Sequence, residues 1–321
     1  MVLVQQRCDA CHPDRTCYCF HCCRHRRVRN KAVRDTEKNL PQIILDRIQV
    51  PASEFNKNVI AAALAQARGG PAKGCRYRNK VNEFLKRYQW DIELKGLNPE
   101  IRWQHQEREQ NIPDYTALFD HTFCEVATVD ELFRSGKHCK FGVKYLVHTT
   151  LQGTIINVFG PFPGRTHDFE CCKTVQIDGS PMVHYENDRM LADGGYQGVD
   201  HRHVAIPVKK PPNGQLNPQQ AGYNASIQRY RARVEHTFSC LKGRFKLFAR
   251  KSQFRDIEKH GRLFKLACVA QNIIQHAANR QRGKYYTCRN IARKNVVYSE
   301  RGQRCTCCIF PKSNKDETVH Y

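Results

Sequence analysis

Residues 117–126 read Ala-Leu-Phe-Asp-His-Thr-Phe-Cys-Glu-Val. Aromatic and β-branched residues dominate this run, which predicts a β-strand from Tyr115 to Val126. Asp120 interrupts the apolar sequence, and a carboxylate inside such a strand is costly unless it is paired or bound to a cation. Charge rather than packing must therefore explain this position.

The sequence on the carboxyl side of this strand predicts a mixed sheet covered by helices. Gln152-Gly153 suits a hairpin turn between two strands, and the hydroxyl of Thr166 suits the start of a short helix. A polar loop is expected at 210–220. Strand-like runs occupy 141–149, 154–159, 189–192 and 204–208. Together with the helices described next, they predict an α/β fold.

Two long helices are predicted after these strands, at 224–245 and 257–278. In the first, apolar residues recur at the three-and-four spacing of one buried stripe. The stripe consists of Ile227, Tyr230, Val234, Phe238, Leu241 and Phe245. Glu235 lies immediately beside it.

Three acids lie where an element would hold them rigidly. Asp120 is inside a strand, Asp193 lies at the end of another before Gly194-Gly195, and Glu235 borders a buried helical face. Carboxylates from three elements can converge on one or two divalent cations, and such ions promote in-line attack at a phosphodiester. An ordinary salt bridge or helix cap is the alternative for each acid taken alone.

Four motifs in order resemble a known family. They are FDHTFCEV at 119–126, GPFPGRTHD at 160–168, LADGGYQG at 191–198 and RVEHTFSCLKGRF at 233–245. Together they resemble the DDE superfamily endonucleases of Harbinger/PIF-type and related insertion-sequence transposases. His121 stands where that family has glycine.

The resemblance implies a ribonuclease-H-like mixed sheet and a metal-dependent DNA transposase. Asp120, Asp193 and Glu235 would be its catalytic residues and would bind Mg²⁺ or Mn²⁺. Asp168 and His167 match a further family element, and Asp168 is either an auxiliary acid or a residue that complements the helix dipole. Basic residues near Glu235 would line the DNA path, namely Arg231, Arg233, Lys242, Arg244 and Lys246. The family also implies a homo-oligomer on DNA and a separate Myb-like DNA-binding partner.

Charge and composition point to the same partner. The 53 Lys and Arg residues exceed the 30 Asp and Glu residues, which gives a formal net charge of +23. An excess of this size favours nucleic acid as the partner. The sequence lacks an apolar run of signal-peptide or bilayer-spanning length, so we expect an intracellular protein without a membrane partner. The basic run at 23–31 favours the nucleus.

The chain holds 17 cysteines, several of them near its amino terminus. Cys8, Cys11, Cys19 and Cys22 are a possible zinc site, with free thiols in a basic arm as the alternative. We predict four regions: this Cys/His/Arg-rich arm at 1–38, a helical segment at 39–111, the catalytic domain at 112–280, and a basic Cys-containing tail at 281–321. The helical segment is either a DNA-binding helix-turn-helix or a structural hairpin.

Two functions other than an active nuclease remain open from the sequence. One is a domesticated, non-catalytic DNA-binding protein derived from a transposase. The other is a zinc-dependent regulator whose amino-terminal cluster recognises its target. The presence of all three acids favours the nuclease.

Overall fold

The computed structural model describes residues 20–48, 55–70, 75–87, 117–151, 153–177, 190–198, 204–252 and 256–294. The chain divides into two compact units, one of Met1–Leu40 with Ile273–Tyr321 and the other of Pro41–Asn272. The division falls inside helices α1 (Phe20–Ile48) and α6 (Ile257–Lys294). The predicted region boundaries after residues 38 and 280 also fall inside these two helices. Among the described helices, none combines the length and the apolar character needed to cross a bilayer.

The second unit is built on a mixed sheet. Its strands are β1 (Ala117–Glu125), β2 (Arg134–Ser135), β3 (Lys140–Thr150), β4 (Ile155–Pro163), β5 (Met190–Leu191) and β6 (Val204–Ala205). The strand order is β2-β3-β1-β5-β6, and β4 pairs with β3. Antiparallel pairing joins β4, β3 and β1, whereas β5 and β6 run parallel to β1. This mixed α/β arrangement is compatible with the expected ribonuclease-H-like fold.

Helices cover both faces of the sheet because side chains of β1 alternate between them. Phe119 faces a core that includes Cys172 of helix α4 (Asp168–Ile177). Leu118 faces the other core, with Ile227 and Tyr230 of helix α5 (Pro218–Arg244). The predicted stripe of α5 is buried along its whole length.

Helix α5 begins earlier than predicted. Residues 218–220, expected to belong to a loop, form its first turn. The Asn217 side chain accepts from the backbone N–H of Gln220, whose own side chain accepts from the backbone N–H of Asn217. This capping box, with Pro218 directly after the cap, is a local start signal that the apolar stripe does not reveal.

Helix α4 also begins at a different residue from the one expected. Thr166 was predicted as its N-cap, but the helix starts at Asp168. The Nδ1 atom of His167 accepts from the backbone N–H of Phe169 at 3.3 Å, so His167 takes the capping position.

Two helices precede the sheet, α2 (Lys57–Ala67) and α3 (Cys75–Arg87). Both lie in the segment at 39–111 that was expected to be helical. The ring of Phe55, just before α2, packs on the ring of Phe84 in α3. Helix α2 ends in a Schellman motif, in which Gly69 and Gly70 donate to the carbonyls of Gln66 and Ala65. Gly69 has a φ of 76°, which glycine adopts without strain.

Candidate active site

Asp120 lies inside β1, and Asp193 directly follows the neighbouring strand β5. Leu118 of β1 pairs with Leu191 of the parallel strand β5. Side chains two residues apart in extended backbone point to the same face. Asp120 and Asp193, two residues after Leu118 and Leu191, therefore both face α5. Because neighbouring strands lie about 4.8 Å apart, the two carboxylates are brought close together by the backbone.

Glu235 lies on α5, the helix that Asp120 and Asp193 face. One helical turn before it, Arg231 forms ion pairs with both acids, at 3.1 Å to Asp193 and 3.6 Å to Glu235. The Glu235 side chain is 63% exposed, whereas that of Arg231 is 17% exposed. A largely buried guanidinium therefore joins the acid of β5 to the acid of α5.

Asp120 has hydrogen bonds rather than an ion pair. Its Oδ1 accepts from the hydroxyl of Tyr196 at 3.3 Å and from the backbone N–H of His121 at 2.7 Å. Burial is the largest influence on this carboxyl and raises its pKa to about 6, against the lowering effects of the His121 N–H and the Arg231 charge. Its ionised form is thus destabilised relative to an exposed aspartate, and a cation beside it would stabilise that form.

His121 points to the other face of β1 from Asp120. Its ring stacks on Tyr196 and its Nδ1 is hydrogen-bonded to the Tyr196 hydroxyl. Since that hydroxyl has one proton and donates it to Asp120, its oxygen is left to accept from Nδ1–H. Burial lowers the pKa of His121 to about 4, so the imidazole is neutral near pH 7. His121 therefore helps to hold the Tyr196 ring and its hydroxyl in position.

Asp168 is held by a buried lysine. Lys144 of β3 donates to Asp168 at 2.9 Å and to the carbonyl of Thr166 at 2.8 Å. Burial acts to raise the pKa of Asp168, but the Lys144 hydrogen bond and nearby positive charges outweigh it and keep that pKa below its usual value. Of the two roles considered from the sequence, these contacts favour the structural one, which anchors the start of α4.

The other predicted auxiliary residue, His167, is exposed. Its described contact is the helix cap on Phe169. This contact is structural, and the auxiliary role of His167 at the site stays a prediction.

The five predicted DNA-contacting cations have different surroundings. Besides Arg231, three bind groups of the protein itself: Arg233 donates to the Leu151 carbonyl, Lys242 to the Phe123 carbonyl and Arg244 to Gln271. Lys246 is exposed. The other four are half-buried, so Lys246 is the most accessible of the five to solvent.

These groups line one open cavity of about 590 Å³, which we call the acid cavity. Its charged lining residues are Asp120, Glu125, Lys137, Lys140, Lys144, Asp168, Asp193, Arg231, Glu235 and Lys242. Within the described ranges, no three His, Cys, Asp or Glu side chains are arranged as a group that could hold a metal ion. The three predicted acids are thus gathered around one cavity, and Arg231 rather than a shared set of ligand oxygens links two of them.

Comparison with known proteins gives this cavity a family context. Residues 121–272 match the family model described as DDE superfamily endonuclease. The matched range includes Asp193 and Glu235 and begins one residue after Asp120.

A similarity to one other protein agrees with this match. The chain is 33% identical over 112 residues to the probable transposase for insertion sequence element IS702 of Microchaete diplosiphon. That similarity covers 34% of this chain and 39% of the relative, so the chain matches well under half of the relative's length. No solved structure matches the chain. These findings support a DDE transposase-like nuclease, and neither distinguishes the Harbinger/PIF type.

Sequence reasoning missed the contributions of Lys144 and Tyr196 to this candidate site. Lys144 interrupts the apolar run Gly-Val-Lys-Tyr-Leu-Val of β3. That is the same signal that drew attention to Asp120, a charge that is costly in a strand unless it is paired. Tyr196 was noted only as part of a motif, and its bond to Asp120 depends on a turn that follows β5.

The predicted zinc site is not covered by the structure. Cys8, Cys11 and Cys19 lie outside the described residues, and for Cys22 only the helical backbone of α1 is described. The zinc site stays a prediction.

Proposed function

We propose that this chain is a transposase-like nuclease that cleaves DNA and transfers its ends with divalent cations, of the Harbinger/PIF type. One observation carries the proposal. Asp120, inside β1, and Asp193, just after the neighbouring parallel strand β5, face the helix that carries Glu235. A DNA phosphodiester is the substrate that such a set of acids serves without a nucleophilic side chain.

Asp120, Asp193 and Glu235 are the residues that would hold Mg²⁺ or Mn²⁺. Their oxygens are the hard donors that these ions prefer, and the buried carboxyl of Asp120, with its pKa raised to about 6, would be stabilised by a neighbouring cation. When bound, the metal supplies activation of the attacking oxygen and stabilisation of the leaving oxygen. The protein's own part is orientation, because Tyr196 and the His121 backbone fix Asp120 while Arg231 holds Asp193 and Glu235.

The proposed partners follow from this chemistry. DNA would pass along the cations near α5, with Lys246 the most exposed of them. Action in the nucleus, a homo-oligomer on DNA and a Myb-like partner belong to the same proposal, and they rest on the family resemblance and on the basic run at 23–31.

Nicking of supercoiled plasmid by the full chain tests the proposal. We expect relaxed product with Mg²⁺ or Mn²⁺, none with EDTA, and loss of product in Asp193→Asn. Glu170→Gln is the control, because Glu170 pairs with Lys173 on exposed α4 surface. Joining of a labelled oligonucleotide end to the plasmid tests strand transfer. Nicking that persists in Asp193→Asn would remove this residue from the site.

A second candidate is the non-catalytic DNA-binding protein. The ion pairs of Arg231 favour it, because this guanidinium already balances charge on Asp193 and Glu235. The same assay separates the two functions. A folded wild-type chain that binds the plasmid but leaves it intact with either metal supports the binding protein.

A further inference from the structure

A second cavity, of about 500 Å³, lies on a different part of the same unit. We call it the basic groove. Its charged lining residues are Arg68, Arg78, Lys246, Arg250, Lys251 and Lys259. Every charged side chain that lines it is therefore a cation, in a chain whose acid cavity carries both signs.

One wall of the basic groove is the backbone segment at 246–252. It starts with a 3-10 turn at Lys246–Phe248 and ends at Ser252, which donates to the Glu125 carbonyl and accepts from Ala127 beyond the end of β1. On the opposite wall, Gly69 approaches this turn so closely that an added Cβ would lie 3.5 Å from Leu247. The cations are thus displayed on a rigid surface.

Five of the six cations of the groove are exposed and have no partner among the described residues. Across the part of the chain that the structure describes, no hydrogen bond or ion pair is found for the side chains of Arg68, Arg78, Lys246, Arg250 and Lys251, and all five are exposed. Lys259 is half-buried, and burial together with the nearby charge of Arg78 lowers its pKa, although Asp256 acts in the opposite direction. An anion in the groove would relieve this like-charge repulsion.

The basic groove and the acid cavity share the segment 246–252. Phe248 and Ala249 line the acid cavity, whereas their neighbours Leu247 and Arg250 line the groove. Successive Cα atoms are about 3.8 Å apart, so residues that line the two cavities are neighbours along the backbone. A DNA duplex carries about one charge per 1.7 Å of its axis, so its phosphates are spaced more closely than these residues. One duplex is therefore long enough to contact both.

We propose that the basic groove binds the phosphate backbone of double-stranded DNA beside the acid cavity. The identity of the polyanion rests on the proposed function, whereas the site itself rests on six convergent cations on two walls. Such contacts hold a duplex in position without reading its sequence. Of the six residues, only Lys246 was expected from the sequence to contact DNA.

Binding of a fluorescent 30-base-pair duplex, followed by anisotropy in EDTA, tests this site without cleavage. The variant Arg250→Gln/Lys251→Gln removes two exposed cations. We expect its affinity to fall about tenfold and the slope of log K against log salt to become shallower by about 2, equally on two unrelated duplexes. Arg68→Gln/Arg78→Gln, on the opposite wall, should do the same.

The matched control is Lys209→Gln/Lys210→Gln, which removes two exposed cations of the same unit that line neither cavity. Affinity should change by less than about threefold in this control. An equal loss in the control and in either groove variant, or an unchanged salt slope in the groove variants, overturns the proposal. Thermal unfolding of each variant verifies the fold, and two separate walls keep the test valid if one variant unfolds.

The outcome is separable from that of the nuclease proposal. If the wild-type chain does not nick plasmid with metal while the groove variants lose affinity, the nuclease fails and the groove stands. If nicking depends on Asp193 but the groove variants bind as the wild type does, the nuclease stands and the groove fails.

Discussion

The acid cavity and the basic groove flank the same short segment, residues 246–252, and treat charge differently. In the acid cavity, Lys140 pairs with Glu125 and Lys144 with Asp168, while Arg231 pairs with two acids. In the groove, all charged lining residues have the same sign. The cavity is largely balanced by the protein itself, whereas no acidic side chain lines the groove.

The difference indicates how the two sites would divide the work on DNA. Internal ion pairs fix side chains in place, which suits chemistry that depends on position. Unpaired surface cations suit binding, because they release counterions when phosphates replace them. Asp120 is the exception among the acids of the cavity, since hydrogen bonds rather than an ion pair hold it.

The largest expected effect separates Asp120 from a paired acid of the same strand. Asp120→Asn should lower metal-dependent nicking about a thousandfold, which corresponds to about 4 kcal/mol of lost transition-state stabilisation. Glu125→Gln, at the end of β1 and paired with Lys140, should keep nicking within about threefold of wild type. Initial rates on supercoiled plasmid measure both. Equal losses in the two variants would break the distinction between paired and unpaired acids.

Removing an internal counter-charge should come next. In Lys144→Met, Asp168 keeps its charge at a site only 23% exposed, so we expect the free energy of unfolding to fall by about 3 kcal/mol. Lys140→Met lies on the same strand, but the Lys140 side chain is 58% exposed, and a loss below about 1 kcal/mol is expected. Urea unfolding gives both values. Restoration of part of the loss by adding Asp168→Asn would confirm that the unpaired carboxylate is the cause.

Adjacent residues of α6 offer a smaller, pH-dependent contrast. Lys259 lines the groove, whereas His260 is buried against Tyr145, and burial lowers the pKa of His260 to about 4 from its usual 6.5. Between these values the unfolded state binds the extra proton, so the stability contributed by neutral His260 is present above pH 6.5 and lost as pH falls toward 4. Unfolding free energies from pH 7 to 4 should fall more steeply in the wild type than in His260→Leu, by up to about 1.4 kcal/mol per pH unit.

His260→Leu also changes packing, which shifts stability at every pH by a similar amount. The slope is therefore the informative quantity. Asp120 also titrates in this pH range, but it does so in both the wild type and His260→Leu. It therefore adds no difference between their slopes. Parallel stability curves would show that His260 binds its proton equally well in the folded and the unfolded protein.

The smallest expected effect concerns the wall of the groove. Gly69→Ala places a side chain at a φ of 76° and should cost about 1 kcal/mol of unfolding free energy. Gly136→Ala, where nothing lies within 4 Å of an added Cβ and φ is not positive, should change stability by less than about 0.5 kcal/mol. Thermal unfolding compares them. An equal effect would mean that the left-handed turn does not position this wall.

Much of the sheet and its covering helices was predictable from short-range patterns. The strand around Asp120 and the buried stripe of α5 were expected and are present. The start of α5 was missed because the signal used was apolar periodicity, whereas Asn217 and Gln220 mark the start with polar side chains. The short strands β5 and β6 each have two residues, fewer than expected, because few ladder positions are formed there.

The candidate site was predictable as residues but not as contacts. Asp120, Asp193 and Glu235 were identified from element ends and motif order, and all three line one cavity. The ion pairs of Asp193 and Glu235 with Arg231 were not expected, because Arg231 had been assigned to DNA. The basic groove was also unexpected, since Arg68 and Arg250 lie far apart in the chain and share no periodic pattern.

By itself, the sequence determined the elements, the positions of the costly charges and the excess of cations, because each depends on neighbours within a few residues. The tertiary structure alone decided which partner each charged side chain meets. Lys242 and its acceptor Phe123 are 119 positions apart, and Lys144 reaches Asp168 across 24. Such pairs follow from how strands and helices pack, and electrostatic energy depends on distance in space and on burial rather than on order in the chain.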